Sequence, residues 1–543
     1  MVFARRSTTL LAAIIASCAM VLSLTACTSD NKTVVDGQTT VTSNSAGGVA
    51  VFTPSDGITL NQQTPLNKWA KLVPDLAKAL ADAGFKKGDI NHTTSDSLDK
   101  QSRAIQDFVV DHLSNNTTDD SGIAIAPDNM TLLVAPVVEA DASTRQYGDY
   151  ISQNLSTNDA TDGEATSDGE SSEDDSSKDD SSNTENDSTA SDEQAQAVDR
   201  LVSSLKLAKE SGMHVVLLGN SIEGYKPDAF VKFSDAQTIG KLQAEKMVSK
   251  LKLDKASKDN PKYIEVLLPY TAVDEKGNAN DSTFAQEAFR GIWQVLGSYY
   301  QKGVVESPSG TLDGKSTEND WQAVAYDAAK EGSTAKVLDK RLAKTDGQST
   351  LTRIDGIITM NDYIASEVVK ELDDLGYTGS AADINPQITI SGIVGNITGK
   401  KDLSRDAVPD PIKSPENDNA NDSSSSDDDA DEDTSASDKD RDSQWPLVTG
   451  YGAYVSNIPS IVNGKQWMTG MEDRQTIATD IAQACAKLNK DEALNSMPSI
   501  RNSEVGGVKK IPTISEPLLA VSASNLKSAL IDPGYISLAD AGL

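Results

Sequence analysis

Short, nearly continuous apolar runs alternate along this chain with segments whose apolar residues recur at every third or fourth position. The runs are GVAVF (48–52), TLLVAP (131–136), HVVLL (214–218), AFVKF (229–233), YIEVLL (263–268), GVVE (303–306), IDGIITM (354–360) and QITIS (387–391). Each has the length of a strand and few polar interruptions, the pattern of parallel strands covered on both faces. Helical spacing follows in Trp69, Leu72, Val73, Leu76 and Leu80, in Phe284, Ala288, Ile292, Val295 and Tyr299, and in Ile364, Val368, Leu372 and Leu375. Pro74 is expected to kink the first of these helices. Strand and helix in alternation predict an α/β protein with doubly wound parallel sheets, whose ligands sit beyond the carboxyl ends of the strands. The residues directly after each strand are therefore the ones to inspect.

Charge changes this picture in two places. The net charge is −33. Fourteen acidic residues against Lys178 lie between Ser156 and Ala195, and twelve against Lys439 and Arg441 lie between Ser414 and Gln444, so these stretches carry −23 of it. They lack apolar residues that could offset the entropy of ordering, and disordered insertions at 156–196 and 403–444 are expected. Their carboxylates have no spaced DxDxDG loop for calcium. The negative field disfavours nucleic acid as a partner.

The amino terminus, MVFARRSTTLLAAIIASCAMVLSLTAC, has a basic start at Arg5 and Arg6, an apolar run, and then Leu24-Thr25-Ala26-Cys27. It resembles a bacterial lipoprotein signal over 1–26, with Cys27 the acylated first residue of the mature chain and 27–46 a polar tether. An ordinary secretory signal is the alternative. Acylation would anchor the protein at the extracytoplasmic face of the cell membrane. The body holds one cysteine, Cys485, on a helical face with Ile477, Ile481 and Leu488, which reads as a small buried hydrophobe. Three scattered histidines, His92, His112 and His214, give no ligand spacing, so neither a metal nor a cofactor is expected.

Without signal, tether and insertions roughly 425 residues remain, enough for two domains. The run AKESGMHVVLLGNSI…FVKFSDAQTIGKLQAEKMV resembles the first crossover of type I periplasmic sugar-binding proteins, especially the xylose-binding branch. QSRAIQDFVVDHL before TLLVAPVV, the strand-Asn-Asp-helix element IDGIITMNDYIASEVVKEL, the return crossover VNGKQWMTGMEDRQTIATDIA and the terminal GGVKKIPTISEPLLAVSASNLKSALIDPGYIS agree with that family in order. The resemblance implies two doubly wound lobes joined by a three-crossover hinge. It places the first lobe at 47–234 plus 472–512 and the second at 235–471 plus 513–543.

The same resemblance implies a monomer that closes on a small polar ligand, a carbohydrate by analogy with the family, and passes it to the permease subunits of an ABC importer. Candidate ligand-binding residues follow the strand ends. In the first lobe they are Asn67, Lys68, Trp69, Pro136, Asn220 and Ser221. In the second they are Asn280, Asp281, Phe284, Asn361, Asp362 and either Tyr451 or Tyr454. Amides and carboxylates suit sugar hydroxyls, and aromatic rings suit apolar sugar faces. For Asn361-Asp362 a helix N-cap is the competing role. Departures from the family pattern are Gly219-Asn220 in place of an Asp-Arg pair and Glu472 in place of a lysine. The expected Asp of a further strand end corresponds to Val394-Gly395 or to Gly452-Ala453, so either 388–396 or 448–454 could be that strand end. A ligand other than xylose is expected. A sensory or interaction lipoprotein of the same fold is the alternative function. No nucleophile elbow, His-containing triad or phosphate loop is found, so an enzyme is not expected.

Overall fold

The computed structural model describes residues 32–35, 38–41, 46–55, 65–115, 125–138, 144–157, 184–273, 279–343, 351–382 and 444–543. They fall in two compact units, Met1–Ser45 and Ala46–Leu543. In the first unit the strands Lys32–Val35 and Gln38–Val41 pair antiparallel, inside the stretch read as a tether, where Thr and Val favour extended backbone. The signal with Cys27, most of both acidic stretches, the run QITIS and Val394-Gly395 lie outside the described residues.

The second unit is built around two main sheets, of seven and four strands, with three two-stranded pairs beside them among the described residues. The first lobe begins with β1 (Gly48–Pro54), α1 (Trp69–Asp82), β2 (Ile90–Ser95), α2 (Leu98–Asn115), β3 (Met130–Val134), α3 (Thr184–Glu210), β4 (His214–Leu218) and β5 (Ala229–Lys232). The second follows with α4 (Ala236–Leu251), β6 (Lys262–Val266), α5 (Thr283–Gln301), β7 (Val305–Glu306), α6 (Ser333–Arg341), β8 (Gly356–Ile358), α7 (Asp362–Leu375) and β9 (Leu447–Val448). Then come β10 (Met468–Met471), α8 (Arg474–Leu488), β11 (Ile500–Val505), β12 (Val508–Ser515) and β13 (Leu519–Ser522).

The first sheet runs β11-β12-β5-β4-β3-β1-β2, parallel except for the β11–β12 hairpin. The second runs β7-β6-β8-β9, all parallel. The alternation along β4 explains its unbroken apolar character. Val216 and Leu218 enter one core with Leu72, Leu76, Ile477 and Cys485 from α1 and α8. Val215 and Leu217 enter another with Ile105, Val109, Leu201 and Leu205 from α2 and α3. Each such side chain contributes about 1.5–3 kcal/mol on burial. Strand β2 escaped the sequence pattern because it is an edge strand whose central side chains, Asn91 to Thr94, are all exposed. Helix α1 runs unbroken through Pro74.

The chain passes between the lobes three times. Phe233 belongs to the first-lobe core and Ala236 to the second-lobe core, which marks the first passage. The second runs from β10 into α8, and the third from β12 into β13. Strands β10 and β13 pair antiparallel, so these two passages form one ribbon. An aspartate caps the helix after each of the first two: Asp235 accepts the Thr238 amide at 2.7 Å and Asp473 that of Thr476 at 3.3 Å.

Helices α4 and α5 cross at two glycines. A Cβ on Gly291 would stand 2.0 Å from the Gln237 carbonyl oxygen, and one on Gly240 would stand 2.2 Å from that of Ala288. Alanine in a helix interior gains up to about 1 kcal/mol over glycine, but forcing this backbone contact apart costs about 1–3 kcal/mol or more. Gly291→Ala is therefore expected to lower the melting temperature by a few degrees; an equal or higher value would contradict the close crossing.

Candidate functional site

In both sheets the strand order reverses beside the first strand, between β1 and β3 and between β6 and β8. Such a reversal opens a crevice at the carboxyl ends. Asn67, Lys68 and Trp69 stand at the amino end of α1, beyond β1, and Pro136 follows β3. Asn361 and Asp362 follow β8. At the hinge the Asn67 Oδ1 accepts the amide of Glu472, the residue after β10, at 3.4 Å.

The crevice between them holds residues 144–151 of the same chain. Asp149 accepts the Trp69 amide at 3.1 Å and pairs with Lys68 Nζ at 2.8 Å, capping α1 from outside it. Its own amide donates to the Asn67 carbonyl at 2.8 Å. The Tyr150 ring packs against Trp69 and Phe233, at 5.1 and 4.7 Å between ring centres, and its hydroxyl donates to the Lys68 carbonyl at 2.5 Å. On the other side the Tyr147 ring lies 4.7 Å from Phe284. Tyr454 donates to the Gln146 carbonyl at 2.6 Å, and Asn361 Nδ2 to Gln146 Oε1 at 3.1 Å.

Asn361 also caps α7, since its Oδ1 accepts the Ile364 amide at 2.9 Å; capping and contact across the crevice coexist. Asp362 is fully buried and accepts from Gln466 at 2.6 Å, from Thr469 at 2.8 Å and from the Tyr454 amide at 2.9 Å. It holds the end of β9 in place rather than facing the crevice. Asn220 spends its side chain on the Pro136 carbonyl and the Gln153 amide, and Ser221 bonds Asn154. Asn280 bonds the Thr271 carbonyl, and exposed Asp281 caps Thr283. The residues brought together are thus Asn67, Lys68, Trp69, Phe284, Asn361 and Tyr454. Asn280 and Asp281 serve their own loops, and Asn220 ties its loop to Pro136 and Gln153. Gln146, Tyr147, Asp149 and Tyr150 were not read from the sequence, although QYGDYI is an aromatic island beside a polar, acidic tract.

Backbone strain brackets the same place. Met360 and Ala453, both fully buried, have φ of 68° and 49°, a region that costs a non-glycine residue on the order of 1–2 kcal/mol. Among the described residues β9 is the strand beside β8, and 449–454 continue from it to the crevice; 388–396 lie outside them. Among the described residues the buried Asn67 Nδ2 has no hydrogen-bond partner.

Glu472, where the resemblance implies a lysine, stands at the second passage. Its carboxylate accepts the Ser234 amide at 2.6 Å and the Ser234 hydroxyl, and Tyr451 lies beside it at 3.4 Å, so it ties the second passage to the first. Burial pushes the Glu472 carboxyl up to about 7, against its hydrogen bonds to Ser234 and Tyr451. Burial likewise raises Asp362 to about 6.

Two doubly wound lobes joined by three passages define the type I periplasmic-binding-protein fold. No family model matches the chain, and no curated protein does. Among solved structures it is similar to an ABC transporter solute-binding protein of Clostridium phytofermentans with bound β-D-glucose, at 16% identity, covering 91% of this chain and 99% of that one, with a TM-score of 0.44. A carbohydrate transporter solute-binding protein of Chloroflexus aurantiacus in complex with D-glucose matches at 18% identity, over 92% and 98%, with a TM-score of 0.42. A periplasmic ribose ABC transporter protein of Conexibacter woesei matches at 13%, over 90% and 96%, with a TM-score of 0.41.

The raised carboxyls fix a pH dependence. Between the ordinary carboxylate range and about 7 the folded chain holds protons that the unfolded chain has released, so stability falls as pH rises through this window. Glu472→Gln keeps an acceptor for Ser234 but cannot ionise. It is expected to gain on wild type in melting temperature between pH 5 and pH 7.5; a parallel pair of curves would contradict the buried acid.

Proposed function

We propose that this chain is an extracytoplasmic solute-binding lipoprotein of an ABC importer, which takes a sugar or similar small polar solute between its lobes and delivers it to a permease. The observation that carries the reading is the pair of strand-end crevices set against each other and joined by a three-passage hinge. Such a frame binds by closure, because a solute touches both lobes only when they are shut. The groups around the crevice suit a sugar, with amides at Asn67 and Asn361, a cation at Lys68, and rings at Trp69, Phe284 and Tyr454. The unpartnered Asn67 Nδ2 is a donor for a solute hydroxyl. No chemistry is asked of the protein, and the permease and its ATPase are separate chains. Anchoring rests on Leu24-Thr25-Ala26-Cys27. Among the described residues no helix is long and apolar enough to cross a membrane.

Two measurements test this. A solute at a hundredfold over its Kd adds about 2.7 kcal/mol to the folded state, so a melting screen against pentoses, hexoses, nucleosides and polyols is expected to give a raised midpoint for one class. A flat panel on a cooperatively melting protein favours the sensory or interaction lipoprotein instead. For the anchor, Cys27→Ser is expected to move the protein from the membrane to the soluble fraction; continued membrane association would contradict acylation at Cys27.

A further inference from the structure

Connections between a strand and the next helix in α/β sheets are commonly two to six residues long. Here the connection leaves β3 at Val134 and reaches α3 only at Thr184. Part of this length, residues 144–151, sits between the lobes. Tyr147 and Ile151 belong to the second-lobe core, while Tyr150, between them in sequence, belongs to the first-lobe core. Both tyrosines are 1% exposed. The segment touches each lobe through polar and aromatic groups at once, as a closed-state solute does. Gly148 lets it fit: its φ is 94°, and a Cβ there would stand 2.5 Å from the Asn67 carbonyl oxygen.

We infer that residues 144–151 are a tethered occupant of the interlobe crevice, which holds the lobes shut without solute and must withdraw before one enters. This rests on the solute-binding reading for what displaces it, but not for the closure itself. A closed population lowers apparent affinity in proportion to the scarcity of the competent state. The segment therefore raises the solute concentration needed for half-loading.

The test compares the full chain in detergent with Tyr147→Ala and with Tyr454→Phe, which removes only the hydroxyl that reaches Gln146. Hydrogen exchange is followed without solute in peptides covering 65–72 and 450–457, one face from each lobe, with the core strand His214–Leu218 as a check on folding. Exchange at both faces is expected to rise at least tenfold in Tyr147→Ala and less in Tyr454→Phe, with the core strand still protected. Unchanged protection at both faces in a folded Tyr147→Ala would overturn the inference, as would a change in Tyr147→Ala confined to one face. D-glucose and D-xylose are then titrated into each protein. Binding at least tenfold tighter in the opened variant supports that lowering of affinity. Opened faces with no binding of either sugar leave the closing role standing and count against the sugar reading.

Discussion

Carboxyl groups buried at the hinge and at a strand end, Glu472 and Asp362, must find their partners inside the protein, and the local architecture answers that demand. A buried acceptor left alone would cost several kcal/mol. Glu472 meets the requirement by taking both donors of Ser234, which fixes the first passage relative to the second. Asp362 meets it by gathering Gln466, Thr469 and the Tyr454 amide, which fixes the end of β9 against β10. The strained backbone at Ala453 is tied to the same node, its amide donating to the Thr469 hydroxyl at 3.1 Å, while the Met360 carbonyl accepts from Gln243 at 3.0 Å. Hinge and crevice wall are thus one polar framework set between apolar cores.

That framework gives the crevice its shape, and residues 144–151 give it its present contents. Asp149 satisfies the amino end of α1, where orphan amides and the helix dipole favour an acceptor. Tyr147 and Tyr150 bring ring surface to opposite lobes. Apart from the Asn67 Nδ2, the amides, cation and rings that would serve a sugar are therefore already engaged by the chain itself.

The sheets were legible because strands covered on both faces must be apolar throughout, as Val215 to Leu218 illustrate. Edge strand β2 was not, since INHTTS has no buried stripe. The switch point after β8 was legible as strand, Asn-Asp, helix, and the N-cap weighed for Asn361 is present, beside a bond across the crevice to Gln146. Asn220 and Asp281 illustrate a harder case. Polar residues after a strand also close their own loop, as Asp281 does, or tie it to neighbouring segments, as Asn220 does, and sequence does not separate these uses from ligand contact. The occupying segment was hidden for a different reason. It has no helical or strand period, and only tertiary contact reveals that Tyr147 and Tyr150 face different cores.

A crystal structure of the chain grown at saturating concentration of the solute that raises its melting temperature, or of D-glucose if none does, bears most directly on closure around a solute. The expected result is a solute between the lobes, bonded to Asn67 and Asn361, with Tyr147 withdrawn from Phe284. A crevice still filled by residues 144–151, with no solute touching both lobes, would contradict it.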